Sequence, residues 1–391
     1  VGEHTVFVER PAIVPVHGRA LVIGPRAFVS DSAGRAASPL QAPGNPYVER
    51  FDEIPMGALS DGYGVWDWVS EPPRARSMPW LPRAAVDSDG VAHIVWASSD
   101  SAVDETPPAA PSIWYARFDG TRWTDPLRVG SDRRYYWSSS TVSPLVMRGR
   151  TLHFVVSTKG EGLTYFHSVG AGWSAQHVGI SNLYYGYPGL AVLPSGRLVL
   201  VSQGPSKRGR PGWGESGVFA TRSDDGGVAW SAPVLVSTAD GEPAYDHQLL
   251  LDGNGALHAI WFQQTDSLGN PALHPNLGNS PGRVHVAESV DGGITWRQLA
   301  PSALLQNADG LVSMVGDDGS LIVALADRVD ERLLLTTWKG SWRPFARIPA
   351  APNPGHPALG RGDAQRPVLT WGTRGPHGRV ITMMTMLTTC S

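Results

Sequence analysis

The chain has 391 residues, with 45 glycines, 33 prolines and 15 tryptophans. Only 17% are charged, the formal net charge is −3 and 41% are hydrophobic, which excludes a disordered chain. Glycine and proline break the chain too often for a coiled coil, and no apolar run approaches the roughly 20 residues of a membrane-spanning helix.

Along the chain, pairs of short apolar strands are joined by glycine turns. They centre on Gly18, Gly90, Gly149, Gly196, Gly255 and Gly319, with a weaker copy at Gly362. Asp-Gly or Asn-Gly between β-branched residues predicts a hairpin whose glycine takes positive φ. Hairpins ending in tryptophan alternate with these pairs, at Trp123, Trp173, Trp230, Trp296 and Trp342, with a degenerate earlier copy at Trp68. Each unit therefore reads as four antiparallel strands, which is one β-propeller blade. A lone four-stranded sheet cannot bury both faces, so blades must stack. The chain is expected to be a single all-β domain over residues 1–391, a seven-bladed β-propeller of four-stranded antiparallel blades. Six blades is the alternative, with residues 18–75 as an insertion. The last unit has three strands, and HTVFVE at residues 4–9 is expected to supply its fourth and close the ring.

Charge and cysteine usage narrow the function classes. Lys and Arg total 32 against 35 Asp and Glu, with no basic block, which argues against a nucleic-acid partner. The single cysteine, Cys390, allows no internal disulfide. The opening VGEHTVFVERP has no signal-peptide pattern, so either there was no signal peptide or this is the mature form, and a secreted or periplasmic location is expected. A monomer without membrane association is expected.

Two tryptophan hairpins carry a motif. Ser289-Val-Asp291-Gly-Gly293-Ile-Thr295-Trp296 fits S-x-D-x-G-x-T-W throughout, and Ser223-Asp-Asp225-Gly-Gly227-Val-Ala229-Trp230 fits with Ala for Thr. This resembles the Asp-box, or BNR repeat, of sialidases and related glycan-active propellers. The resemblance implies a structural turn: the Asp accepts turn amides, the Gly takes positive φ and the Trp packs between sheets. Arg10-Pro11-Ala12-Ile13 with Gly18-Arg-Ala-Leu21 is similar to the first blade of sialidases, which implies that Arg10 grips a carboxylate. Further arginines of that family are replaced by Val201-Ser202-Gln203 and Trp261-Phe262-Gln263. Tyr187-Pro188 followed by Gly196-Arg-Leu198, and His247 to Asp252 followed by Gly255-Ala-Leu-His258, resemble blades of seven-bladed polysaccharide lyases with BNR-like repeats.

The loops entering the first strands are rich in aromatic and histidine residues: Tyr135, Tyr136 and Trp137, then Tyr184, Tyr185 and Tyr187, then Tyr245, His247 and His356. Such residues suit sugars, whose C–H faces pack on rings while polar tips bind hydroxyls. Long loops at 203–216 and 263–282 flank them, and Lys207, Arg208 and Arg210 favour an anionic ligand. The candidate catalytic residues are Tyr187, Tyr245 and His247. The candidate substrate-binding residues are Arg10, Arg26, Trp80, Arg83, Tyr136, Tyr185, Arg210, Asp246, Asp309 and His356. His153 and His258, at the starts of second strands, are read as structural. No metal-ligand spacing occurs, so no cofactor is expected and no structural Ca2+ is indicated.

The first reading is a polysaccharide lyase on an acidic glycan. β-Elimination at a uronate needs a base, an acid and a cation to neutralise the carboxylate, and Tyr and His beside Arg can supply them. A sialidase-like exo-glycosidase using a Tyr nucleophile or Asp246 and Asp309 is the alternative. A lectin without chemistry is the third reading. A propeller lectin usually repeats its site, whereas these loops differ from blade to blade.

Overall fold

The computed structural model describes residues 12–16, 19–23, 27–30, 36–39, 80–99, 111–119, 123–131, 140–158, 162–179, 188–205, 216–237, 244–264, 281–306, 308–327, 330, 332–349, 357–361, 367–374 and 380–386. Among them are seven antiparallel sheets and no helix. The first sheet has β1 (Ala12–Val16), β2 (Arg19–Ile23), β3 (Ala27–Ser30) and β4 (Ala36–Pro39). The second has β5 (Trp80–Val86), β6 (Ala92–Ser99), β7 (Pro111–Phe118) and β8 (Leu127–Ser131). The third has β9 (Ser140–Val142), β10 (Val146–Arg148), β11 (Thr151–Thr158), β12 (Gly162–Val169) and β13 (Gly172–His177). The fourth has β14 (Gly189–Val192), β15 (Leu198–Pro205), β16 (Ser216–Ser223) and β17 (Val234–Leu235). The fifth has β18 (Ala244–Leu251), β19 (Leu257–Gln264), β20 (Gly282–Ser289) and β21 (Arg297–Gln298). The sixth has β22 (Ala308–Val315), β23 (Leu321–Asp327), β24 (Arg332–Trp338) and β25 (Ala346–Pro349). The last has β26 (Ala358–Arg361), β27 (Pro367–Arg374) and β28 (Val380–Met386).

The protein is an all-β propeller of four-stranded antiparallel blades, in which each blade is a meander of sequential strands. Among the described residues five sheets are four-stranded blades, where seven, or six, are expected from the sequence. The third sheet has five strands because its innermost strand is cut in two at Ser143-Pro144-Leu145, and both pieces pair with β11. Proline has no amide hydrogen to give to a ladder, so the strand breaks there. The last sheet has three strands. The strand expected to complete it, residues 4–9, lies outside the described residues.

The chain divides into two compact units, residues 1–136 with 349–391, and residues 137–348. In the first unit β1 lies beside both β5 and β26. Val14 joins Ile94, Trp96, Ala116 and Phe118 in a core between the first two sheets. In the second unit β14 lies beside β18, and β18 beside β22. Its sheets stack face to face. Val155, Tyr165 and Leu200 fill one interface, Val199, Val201 and Trp261 the next, and Ile260, Leu311 and Val323 the third. Strand β20 (GRVHVAES) alternates between buried and half-buried positions over its first five residues, the period of two of a pleated strand whose side chains point to opposite faces.

The glycine turns behave as their sequences imply, with one difference. Gly90, Gly196, Gly255 and Gly319 have φ of 80°, 96°, 86° and 76°. These turns are longer than two residues. Strand pairing stops at Val86 opposite Ala92, and the Asp87 carboxylate accepts the Asp89 and Val91 amides at 2.9 Å each. Asp252 does the same for Asn254 and Ala256. A carboxylate that satisfies two amides makes the wider turn stable.

The hairpins that end at Trp230 and Trp296 share one bonding pattern. The Ser289 hydroxyl donates to Asp291 Oδ1 at 2.8 Å and accepts the Gly293 amide at 2.8 Å. Asp291 also accepts the Ile294 amide, the Thr295 amide and the Thr295 hydroxyl. Ser223, Asp225, Gly227 and Ala229 repeat the pattern without the threonine hydroxyl. Partial burial pushes the Asp291 pKa up, but its hydrogen bonds from Thr295, Ser289 and Ile294 outweigh that and hold it at about 2. A depressed carboxylate pKa contributes stability above the unfolded value of about 3.9, which is lost as pH falls towards the folded value. Asp291→Ala should cost about 1–2 kcal/mol at neutral pH, since the turn is partly solvated. The melting temperatures of wild type and Asp291→Ala should converge between about pH 4 and pH 2. A gap that stays constant with pH would show that the carboxylate charge contributes nothing.

Candidate functional site

Four of the seven sheets share an irregularity in the innermost strand, at the end away from its glycine turn. In β18, Tyr245 faces Phe262 but Gln248 faces Ile260, so Asp246 and His247 together oppose one residue. In β22, Asp309 faces Ala326 and Val312 faces Ala324, which leaves Gly310 and Leu311 as the bulge. In β5, Trp80 faces Ala97 and Arg83 faces Val95, with Leu81 and Pro82 between. The cut between β9 and β10 has the same one-residue excess, since residues 143–145 oppose 154 and 155. Proline or glycine at three of these sites suits a break in the ladder. A bulge re-aims side chains, and bulges recur beside functional sites.

Residues that no sequence pattern aligns hold equivalent register positions in different blades. Trp80, Tyr245 and Asp309 hold one position of the repeat. Arg83, Gln248 and Val312 hold another, just past the bulge. Arg83 is half-buried. Asp246 and His247 make β18 the one such bulge, among the described residues, with ionisable side chains. His247 is 2% exposed. Of Trp80, Tyr245, Asp246 and Asp309 only the strand positions are described. Arg10, Arg26, Tyr136, Tyr185, Tyr187, Arg210 and His356 lie outside the described residues.

Residues at the same ends of the second strands carry no comparable signal in the sequence. Gln263 on β19 is 4% exposed, and its Oε1 has no hydrogen-bond partner. Ser157 on β11 and Ser202 on β15 are buried, and neither hydroxyl has a partner. A buried polar atom left unbonded costs about 1–3 kcal/mol, so these atoms are suited to a water or a ligand hydroxyl. In the sequence Gln263 registers only as a missing arginine.

The histidines at the glycine-turn ends have fixed partners. His258 Nε2 lies 3.2 Å from Asp252 Oδ2, and His93 Nε2 lies 3.1 Å from Asp87 Oδ2. His93 Nδ1 is 2.7 Å from the Tyr115 hydroxyl, and His153 Nδ1 is 2.6 Å from that of Tyr165. Burial, then the neighbouring His167 and Arg148, lower the His153 pKa to about 4. Burial also pushes Tyr115 up to about 12, although Arg117 opposes the rise. His153 is therefore neutral at neutral pH. His93 and His258 lie at the glycine-turn ends of β6 and β19, away from the bulges of β5 and β18. No group of three His, Cys, Asp or Glu that could hold a metal occurs among the described residues.

The chain resembles solved propellers over most of its length. An ulvan lyase of a polysaccharide lyase family, bound to GlcA(1-4)Rha3S, aligns with 99% of this chain and 93% of its own, at 14% identity and a TM-score of 0.58. A protein of unknown function from Dyadobacter fermentans aligns with 80% of this chain and 96% of its own, at 13% identity and a TM-score of 0.54. An α-L-arabinofuranosidase from Fusarium graminearum, in complex with an iminosugar inhibitor, aligns with 86% of this chain and 98% of its own, at 13% identity and a TM-score of 0.51. No protein-family model matches the chain, and no curated protein matches it. At such low identity the likeness is one of fold.

Proposed function

We propose that the protein is a carbohydrate-active enzyme on an acidic glycan, and that it cleaves by β-elimination at a uronic acid. The observation that carries this reading is the β18 bulge, where Asp246 and His247 follow Tyr245 in a strand whose counterparts carry no ionisable residue in the bulge. One site among dissimilar blades suits an enzyme better than a repeated lectin surface. The likeness in fold to an ulvan lyase supports the choice of a uronate polymer.

In this scheme His247 takes the proton α to the uronate carboxylate. The electron pair forms the C4–C5 double bond and the C4–O bond breaks. The departing oxygen takes a proton from Tyr245 or Tyr187. Neutral histidine has the free ring nitrogen that a base needs. One of Arg10, Arg26, Arg83 and Arg210 is assigned to the carboxylate, where a cation lowers the barrier to carbanion formation. Side chains supply base, acid and cation, so no cofactor enters the scheme. A polymeric substrate fits a secreted or periplasmic monomer.

A second reading is an exo-glycoside hydrolase that uses Asp246 and Asp309. Both residues fall at the bulges of neighbouring innermost strands. Incubation with a panel of uronate-containing polysaccharides separates the readings. Absorbance near about 235 nm, one unsaturated uronate per cleavage, is expected for elimination. Reducing ends without that absorbance would replace the lyase by the hydrolase, and binding without either would leave a lectin.

A further inference from the structure

We propose that Gln248 is a positioning residue, which fixes His247 by joining the bulges of two neighbouring blades. The inference rests on the reading of His247 as a functional group. The bulge leaves the β18 backbone at Asp246 and His247 out of step with β19. A kinked segment needs another anchor if its side chain is to hold one direction. Gln248, the residue after His247, supplies it across the blade boundary. Its Nε2 donates to the Leu311 carbonyl at 3.1 Å. Its Oε1 accepts the Ser313 amide at 2.8 Å and the Ser313 hydroxyl at 2.6 Å.

Leu311 occupies in β22 the bulge position that His247 occupies in β18. The carboxamide therefore ties one bulge to the next. The task needs a donor and an acceptor on one planar group, which selects glutamine. Methionine has the length but neither strong partner, and glutamate has no donor for the Leu311 carbonyl. At the same register Arg83 and Val312 stand in β5 and β22. The apolar Val312 can make no such bond, so the tie between these two blades comes from Gln248.

The test is spectroscopic and does not require a known substrate. Imidazole nitrogen resonances are recorded for 15N-labelled wild type, and the His247 signals are assigned by their loss in His247→Gln. In Gln248→Met the His247 signals should move or broaden, while those of His93 and His258, at the far ends of their strands, stay in place. Ser313→Ala removes one of the three bonds and should produce a smaller change in the same signals. The double variant should match Gln248→Met alone, since the two residues act through one contact. A substrate, once found, should be turned over on the order of tenfold more slowly by Gln248→Met, with KM within about twofold. Unchanged His247 signals in folded Gln248→Met would overturn the proposal. If that variant does not fold, unchanged signals in Ser313→Ala overturn it. Full activity of His247→Gln would instead remove the functional reading of the site, whatever the resonances do.

Discussion

Gly189→Ala is expected to destabilise the protein by about 3 kcal/mol or more, because no room exists for one methyl group. A Cβ at Gly189 would lie 2.7 Å from the Leu249 amide nitrogen, 2.8 Å from Leu249 Cβ and 2.7 Å from Val201 Cγ2. None of these atoms can yield cheaply. The Leu249 backbone is held in the β18–β19 ladder opposite Ala259. Val201 is fully buried in the core between the fourth and fifth sheets. Relief requires β14 and β18 to move apart, which opens that interface. The control is Gly149→Ala. Gly149 has φ of 57° and an added Cβ there meets nothing within 4 Å. Its cost is backbone strain alone, about 1–2 kcal/mol. Denaturant or thermal midpoints of the two variants decide the matter. A Gly189→Ala midpoint no lower than that of Gly149→Ala would show that the innermost strands are not packed as closely as described.

His247→Gln is the second large effect. It should lower kcat on a cleaved polysaccharide by about 10²–10⁴-fold while leaving the melting temperature within a few degrees. Glutamine keeps a polar planar group of similar reach but cannot take a proton near neutral pH. The loss should therefore appear in kcat more than in KM, since binding of the sugar does not depend on proton transfer. The measurement is the initial rate of unsaturated product in wild type and variant at several pH values. A His247→Gln enzyme with wild-type kcat would remove His247 as the base and return attention to Tyr245 and Tyr187.

Much of the repeat was legible because it rests on local chemistry. Gly90, Gly196, Gly255 and Gly319 sit in turns that need positive φ, and they have it. The Ser-Asp-Gly turns before Trp230 and Trp296 close on their own hydrogen bonds. Such contacts span a few residues, so the order of residues encodes them. The number of complete blades was not legible in the same way. Which strands complete a sheet depends on pairing, and among the described residues the last sheet has three strands.

The candidate site divides along the same line. Composition identified His247, Tyr245, Asp246, Trp80 and Asp309 as unusual residues before apolar strands. It did not show that Trp80, Tyr245 and Asp309 share a register position, because a bulge is visible only when its partner strand is known. Gln248 carried no signal and Gln263 only that of a missing arginine, since a glutamine beside an apolar run looks like any solvated residue. The bonds of Gln248 reach Leu311 and Ser313, more than 60 residues away, and exist only when two blades meet. The sequence by itself determined the turns, the strand period and the blade as the repeating unit, all of which are short-range. Tertiary structure alone decided where the innermost strands kink and which blade anchors which, because those depend on pairing and packing between distant segments.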